Sequence, residues 1–291
     1  MHRLRSFAIA ASAGLAALGL ATVAPAAAAT GGPPGPYVCT GGMIPAGDYG
    51  AVVVKGLCVG PPKGEVLVGG PVVVAPGATL AANYPAIAKG KPEGDATWLV
   101  AGTMTVGKGA SLLLGCSPHF GCKATTNDTI AGGITATAAL GVIVHSTTLG
   151  GPVSLMGGGG GTTCKPLGVF KLFGQPVYSD FEDDTVMGNL TVRGLASCWL
   201  GLGRDAVHGN VAVVNDLMAD PDAIEIISNA VTGSLACSGN LKVWDSGEAA
   251  FGQKALYPRV AQPNAVLGAR SGQCVLASPA TQGGPLGPGA F

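Results

Sequence analysis

The run Asp180-Phe181-Glu182-Asp183-Asp184 gathers more reactive side chains than any other stretch of the chain. Paired carboxylates can act as acid and base on a glycosidic bond, and several together can bind Ca²⁺ through oxygen ligands. In an extended segment Asp180, Glu182 and Asp184 fall on one face. Asp180, Glu182, Asp183 and Asp184 are therefore the candidate metal ligands, and Ca²⁺ is the candidate ion. The same run also reads as a solvated loop that keeps a weakly charged protein in solution, and under that reading the chain has no catalytic residue here. A second acidic set, Asp216, Asp220, Asp222 and Glu225, falls in or beside a turn and carries the same two readings. His145, inside the strand-like Gly141-Val-Ile-Val-His145-Ser146, is expected to be hydrogen-bonded or surface-facing, and His208, before Gly209-Asn210, to be a turn residue. The sequence contains no G-x-S-x-G elbow, P-loop or H-E-x-x-H.

The elements that would carry these residues are short strands. Val/Ile/Leu/Thr runs alternate with Gly, Pro and Asn, which is strand-and-turn punctuation rather than a 3.6-residue period. Gly70-Pro-Val-Val-Val-Ala-Pro-Gly77-Ala-Thr-Leu80 aligns with Gly102-Thr-Met-Thr-Val-Gly-Lys-Gly109-Ala-Ser-Leu112, an offset of 32 residues. A second set, Gly188-Asn-Leu-Thr-Val-Arg-Gly194, Gly209-Asn-Val-Ala-Val-Val-Asn215 and Gly233-Ser-Leu-Ala-Cys-Ser-Gly239, is offset by 21 and then 24. A constant strand motif at variable offsets predicts an all-β, single-domain parallel β-helix with irregular loops. The alternative is a β-sandwich. In the β-helix, coils stack about 4.8 Å apart, with Leu190, Val211 and Leu235 in one inward stack and Val192, Val213 and Cys237 in the next. Asn189 and Asn210 would form a side-chain ladder. Asp220 to Ile227 could start a helix with Asp220 as N-cap and Pro221 in the first turn, but the alternation of Ile224 and Ile226 with polar neighbours reads better as a strand. Tyr84 to Thr97, Gly115 to Thr129 and Met156 to Tyr178 read as loops. Trp98, Trp199 and Trp244 are the candidate platforms for stacking on sugars, although with 5% aromatic residues they read better as buried caps at coil ends.

The first residues have the order of a secretory signal peptide: basic Met1 to Arg5, an apolar run from Phe7, and the small-residue stretch Pro25 to Ala29. The expected organisation is a signal peptide over 1–29, a Gly/Pro linker over 30–37, a solenoid over 38–274 and a Pro/Gly-rich disordered tail over 275–291. No later stretch reads as a transmembrane anchor. The chain has 16 basic and 16 acidic residues, so removal of Arg3 and Arg5 leaves 14 against 16, a net charge of −2. That balance argues against nucleic acid as a partner. Eight cysteines in an exported chain read as four disulfides, with 105 connectivities open. Nearest-neighbour pairing joins Cys39 with Cys58, Cys116 with Cys122, Cys164 with Cys198, and Cys237 with Cys274. His119, between Cys116 and Cys122, is the one candidate for a cysteine-histidine metal site.

Both ends of the chain resemble a family of secreted β-helix-like repeat proteins of actinobacteria, to which no activity is attached. The likeness rests on Cys39-Thr-Gly-Gly-Met-Ile-Pro-Ala-Gly-Asp-Tyr49 leading to Cys58, and on Gly233-Ser-Leu-Ala-Cys237-Ser-Gly-Asn240 followed by Pro263-Asn264-Ala-Val266-Leu-Gly268 and Ser271-Gly-Gln-Cys274. The resemblance implies a β-helix-like fold and a Cys237 to Cys274 bond. The expectation is a secreted, non-enzymatic extracellular or cell-surface protein whose partner is a glycan or the cell envelope. The alternative is a polysaccharide-active enzyme, a lyase or glycoside hydrolase, on a β-helix resembling that of pectate lyases. Such a lyase needs a basic residue beside a calcium cluster, and only Arg193 and Arg204 lie near these acids in sequence.

Overall fold

The computed structural model describes residues 34–83, 95–117, 124–220, 224–241, 243–245 and 264–275. The expected signal peptide, the tail beyond Val275, His119, Cys122 and Asp222 lie outside these residues. The alternation seen in the sequence becomes burial directly: in Leu190–Arg193 the first and third side chains are buried, the second is half-buried and the fourth is exposed. Leu190 pairs with Val211 and Val211 with Leu235, while Val192 pairs with Val213 and Val213 with Cys237. Each inward side chain thus rests on the equivalent one of the next coil, which is how coils that cannot bury an apolar face alone share a core.

Among the described residues the strands form a parallel β-helix of three long sheets, one of ten strands and two of nine, entered in the same cyclic order by every coil. The first strand begins at Pro36, inside the segment expected to be linker, because Pro36 and Tyr37 pair in register with Ala51 and Val52. The 32-residue offset is also a coil, with Met104 beside Val72 and Leu112 beside Leu80. The expected strand near Ile224 is Ile224–Ile227.

Each corner is held by a side-chain ladder. Between the second and third sheets, Thr147 N–H donates to Asp184 Oδ1 at 2.8 Å, Asp184 N–H to Asp205 Oδ1 at 2.9 Å, Asp205 N–H to Asn229 Oδ1 at 2.9 Å, and Asn229 N–H to Asn264 Oδ1 at 2.9 Å. The residue before each rung, Ser146, Asp183, Arg204 and Ser228, is left-handed with φ of 53° to 60°, which turns the chain sharply enough to aim the next side chain along the axis. Between the first and second sheets, Leu195 N–H donates to Asp216, Asp216 N–H to Asn240, and Asn240 N–H to Gln273. The exposed third corner holds the expected asparagine ladder, Asn210 N–H to Asn189 Oδ1 at 2.8 Å and Ser234 N–H to Asn210 Oδ1 at 2.8 Å.

Cys39 is bonded to Cys58, Cys164 to Cys198 and Cys237 to Cys274. Cys116 is also disulfide-bonded, and its expected partner Cys122 lies outside the described residues. The loop after Met156 needs its glycines: Gly157 to Gly161 all take left-handed φ, from 65° to 97°, and a Cβ at Gly158 would sit 2.0 Å from Ala139 O. That loop carries one helical turn, Phe170–Phe173. Val169, Phe170 and Val177 pack on Ala81, Leu113 and Ile143, the outward column of the second sheet. Gly141 allows this, since a Cβ there would meet the Phe170 ring at 2.5 Å. No helix among the described residues is long and apolar enough to cross a membrane.

Candidate functional site

The outward column of the second sheet changes character where this apolar cover ends. After Ala81, Leu113 and Ile143 the same register position continues as Asp180, Gly201 and Glu225. The adjacent outward column runs His145, Glu182, Gly203 and Ile227. Strand register alone therefore brings His145, Asp180 and Glu182 together, because Asp180 and Glu182 alternate with the inward Phe181 on Tyr178–Glu182 and His145 lies directly beside Glu182.

The cluster is sealed. His145 is 3% exposed, Asp180 1%, Glu182 2% and Glu225 6%. This overturns the solvated loop expected over Asp180 to Asp184. Alternation identifies which side chains share a face but says nothing of whether that face meets water. His145 Nε2 and Asp180 Oδ2 share a hydrogen bond of 3.0 Å. Arg204 holds Glu182 and also reaches Asp183 twice, Nε to Oδ1 at 2.8 Å and Nη2 to Oδ2 at 2.9 Å. Asp183 and Arg204 meet because they are the left-handed residues of successive coils, one corner position apart along the axis.

The four candidate carboxylates do not converge on one point. Asp180 and Glu182 face outward with His145, Asp183 turns to Arg204, and Asp184 enters the corner ladder. The left-handed φ of 60° at Asp183 breaks the alternation that would have placed Asp184 beside Glu182. Asp184 and Asp205 are held well above the usual carboxylate range, first by burial and, for Asp184, next by the charge of Asp205, while the backbone N–H donors of Thr147 and Asp184 pull them back down. Burial likewise pushes Asp216 up to about 6 and Asp128, which accepts the Trp98 N–H, up to about 7.

The remaining sequence candidates divide between core and surface. Asp216 is a buried rung rather than a solvated turn residue. Asp220 accepts from Trp199 Nε1 at 3.3 Å. His208 sits exposed in a bend, as expected. Trp98 is fully buried beside Val66 in mid-solenoid and not at a coil end, its Nε1 donating to Ala82 O at 3.1 Å. Trp199 is buried against Tyr178 on the outer face, with ring centroids 5.6 Å apart. Neither presents a ring to a sugar.

Fold and site together define a disulfide-stapled parallel β-helix with an internally paired polar cluster on its second sheet. No family model, curated protein or solved structure matches the chain.

Proposed function

We propose that the protein is an exported, non-enzymatic β-solenoid that serves outside the cell as a structural or binding element, with an extracellular glycan or the cell envelope as its partner. The observation that carries this reading is the sealing of the acids: Asp180 and Glu182 are 1% and 2% exposed, whereas carboxylates that cleave a glycosidic bond must reach a sugar ring. Disulfides form and persist in oxidising compartments, which agrees with the signal-peptide order of the first residues. The outward column of the first sheet supports a binding face. It runs Thr105, Thr135, Ser154, Thr191, Ala212 and Ala236, one residue per coil, all short and uncharged. Such a face suits a neutral polymer rather than a polyanion, which would need a basic stripe.

The test is a panel of plant, bacterial and fungal polysaccharides, soluble and insoluble, with and without Ca²⁺. Retention on one or more insoluble polymers with no new reducing ends or unsaturated products is the expected result. Turnover that is lost in Asp180→Asn or Glu182→Gln would overturn the reading and make this a β-helical glycan enzyme.

A further inference from the structure

We propose that His145, Asp180 and Glu182 form a buried site for one divalent transition-metal ion of the zinc class. One ligand atom from each residue lies within 4.8 Å of the others. His145 Nε2 and Asp180 Oδ2, at 3.0 Å, are already near the ligand-to-ligand edge of a tetrahedron, about 3.4 Å for bonds of about 2.05 Å.

A second observation points to a ligand. Asp180 Oδ1 is buried and has no hydrogen-bond partner, although its sister oxygen is on His145. A buried carboxylate oxygen without a donor is costly, and a cation at the cluster satisfies it. The neighbouring strand places Gly201 and Gly203 beside Asp180 and Glu182, and the side chain of that coil that reaches Glu182 is Arg204. Arg204 does not have to leave: with Nε and Nη2 both on Asp183, it keeps that pairing when Glu182 turns to the metal.

The donor set decides the class of ion. Ca²⁺ takes six to eight oxygens, whereas one imidazole nitrogen with two carboxylates suits zinc and its first-row neighbours. Burial shields the site from bulk solvent, and because these three residues leave one tetrahedral position without a protein ligand, a bound water completes the four-coordinate set.

The test uses the purified full chain, stripped with a chelator and desalted. Titration with Zn²⁺ should load one ion per chain and raise the melting temperature, and Co²⁺ should give the visible absorption of a four-coordinate N/O site. His145→Gln and Asp180→Asn should each weaken Zn²⁺ binding at least 100-fold with an unchanged far-UV circular dichroism spectrum, while His208→Ala leaves it unchanged. If either variant fails to fold, the Co²⁺ spectrum of the parent chain decides alone. Absence of stoichiometric Zn²⁺ in the folded parent, binding undiminished in both variants, or Ca²⁺ binding in place of Zn²⁺ would overturn the proposal.

Discussion

The double variant Asp184→Asn/Asp205→Asn is expected to be more stable than the parent chain, by about 2–6 kcal/mol at pH 8, taking about 1–3 kcal/mol for each buried polar atom left without a partner. Asp184 and Asp205 occupy rungs of a ladder whose next members, Asn229 and Asn264, do two things. Each asparagine accepts a backbone N–H through Oδ1 and also donates through Nδ2 to a carbonyl of the preceding coil, Asn229 to Leu202 O and Asn264 to Ile226 O, at 2.8 and 2.7 Å. The aspartates perform only the accepting half, and Oδ2 of both is buried without a hydrogen-bond partner. By the same register an amide at 205 faces Phe181 O and one at 184 faces Val144 O.

The pH dependence has a definite sign. Burial raises Asp184, Asp205, Asp216 and Asp128 above their unfolded values. The fold therefore binds more protons than the unfolded chain, and the stability these groups contribute is fully present below about pH 4. It is lost as pH rises through about 6 for Asp216 and about 7 for Asp128, and the pair, raised in the same direction, adds to the fall. Urea unfolding of parent and variant from pH 4 to 8 should show stability falling with pH in the parent and a shallower fall in the variant. A variant no more stable than the parent at pH 8 would show that the acids are ionised and satisfied.

Phe181→Ala is expected to cost about 3–5 kcal/mol, the range for a large aromatic side chain removed from a core. Phe181 is fully buried in the inward stack Leu114, Val144, Phe181, Leu202, Ile226. It is also the residue whose inward orientation points Asp180 and Glu182 outward, so its loss loosens the cluster as well as the core. Thr191→Ala, on the outward face of the first-sheet strand Leu190–Arg193, should stay within about 0.5 kcal/mol. Equal effects of the two changes would contradict the register.

The inward stacks of the coils were legible because alternation and the offsets of 21 and 24 residues are properties of the sequence itself. The paired acids were legible only in part. The 21-residue offset that sets Leu190 on Val211 also sets Asp183 on Arg204 and Asp184 on Asp205, so both the ion pair and the stacked acids could have been found by extending the alignment that begins at Gly188 and Gly209 five residues toward the N-terminus. His145 could not be found this way. The glycine-led insertion separates it from Asp180 by 35 residues and hides the period. Burial was illegible for a different reason: period-2 alternation divides a strand into two faces, and an outer face normally meets solvent, whereas here it does not.

The central claim is that the acids from Asp180 to Asp184, with the exception of Asp183, belong to the interior of the fold and not to a reactive surface. The most direct measurement is carbodiimide labelling of carboxylates with a small amine on the native chain, read residue by residue by mass spectrometry, with the exposed Asp48 and Glu65 as internal references. The account predicts that Asp48 and Glu65 are labelled rapidly, while Asp180, Glu182, Asp184 and Asp205 are labelled only after denaturation. Labelling of Asp180 and Glu182 in the native protein at the rate of Asp48 would contradict it and return these carboxylates to an open, reactive site.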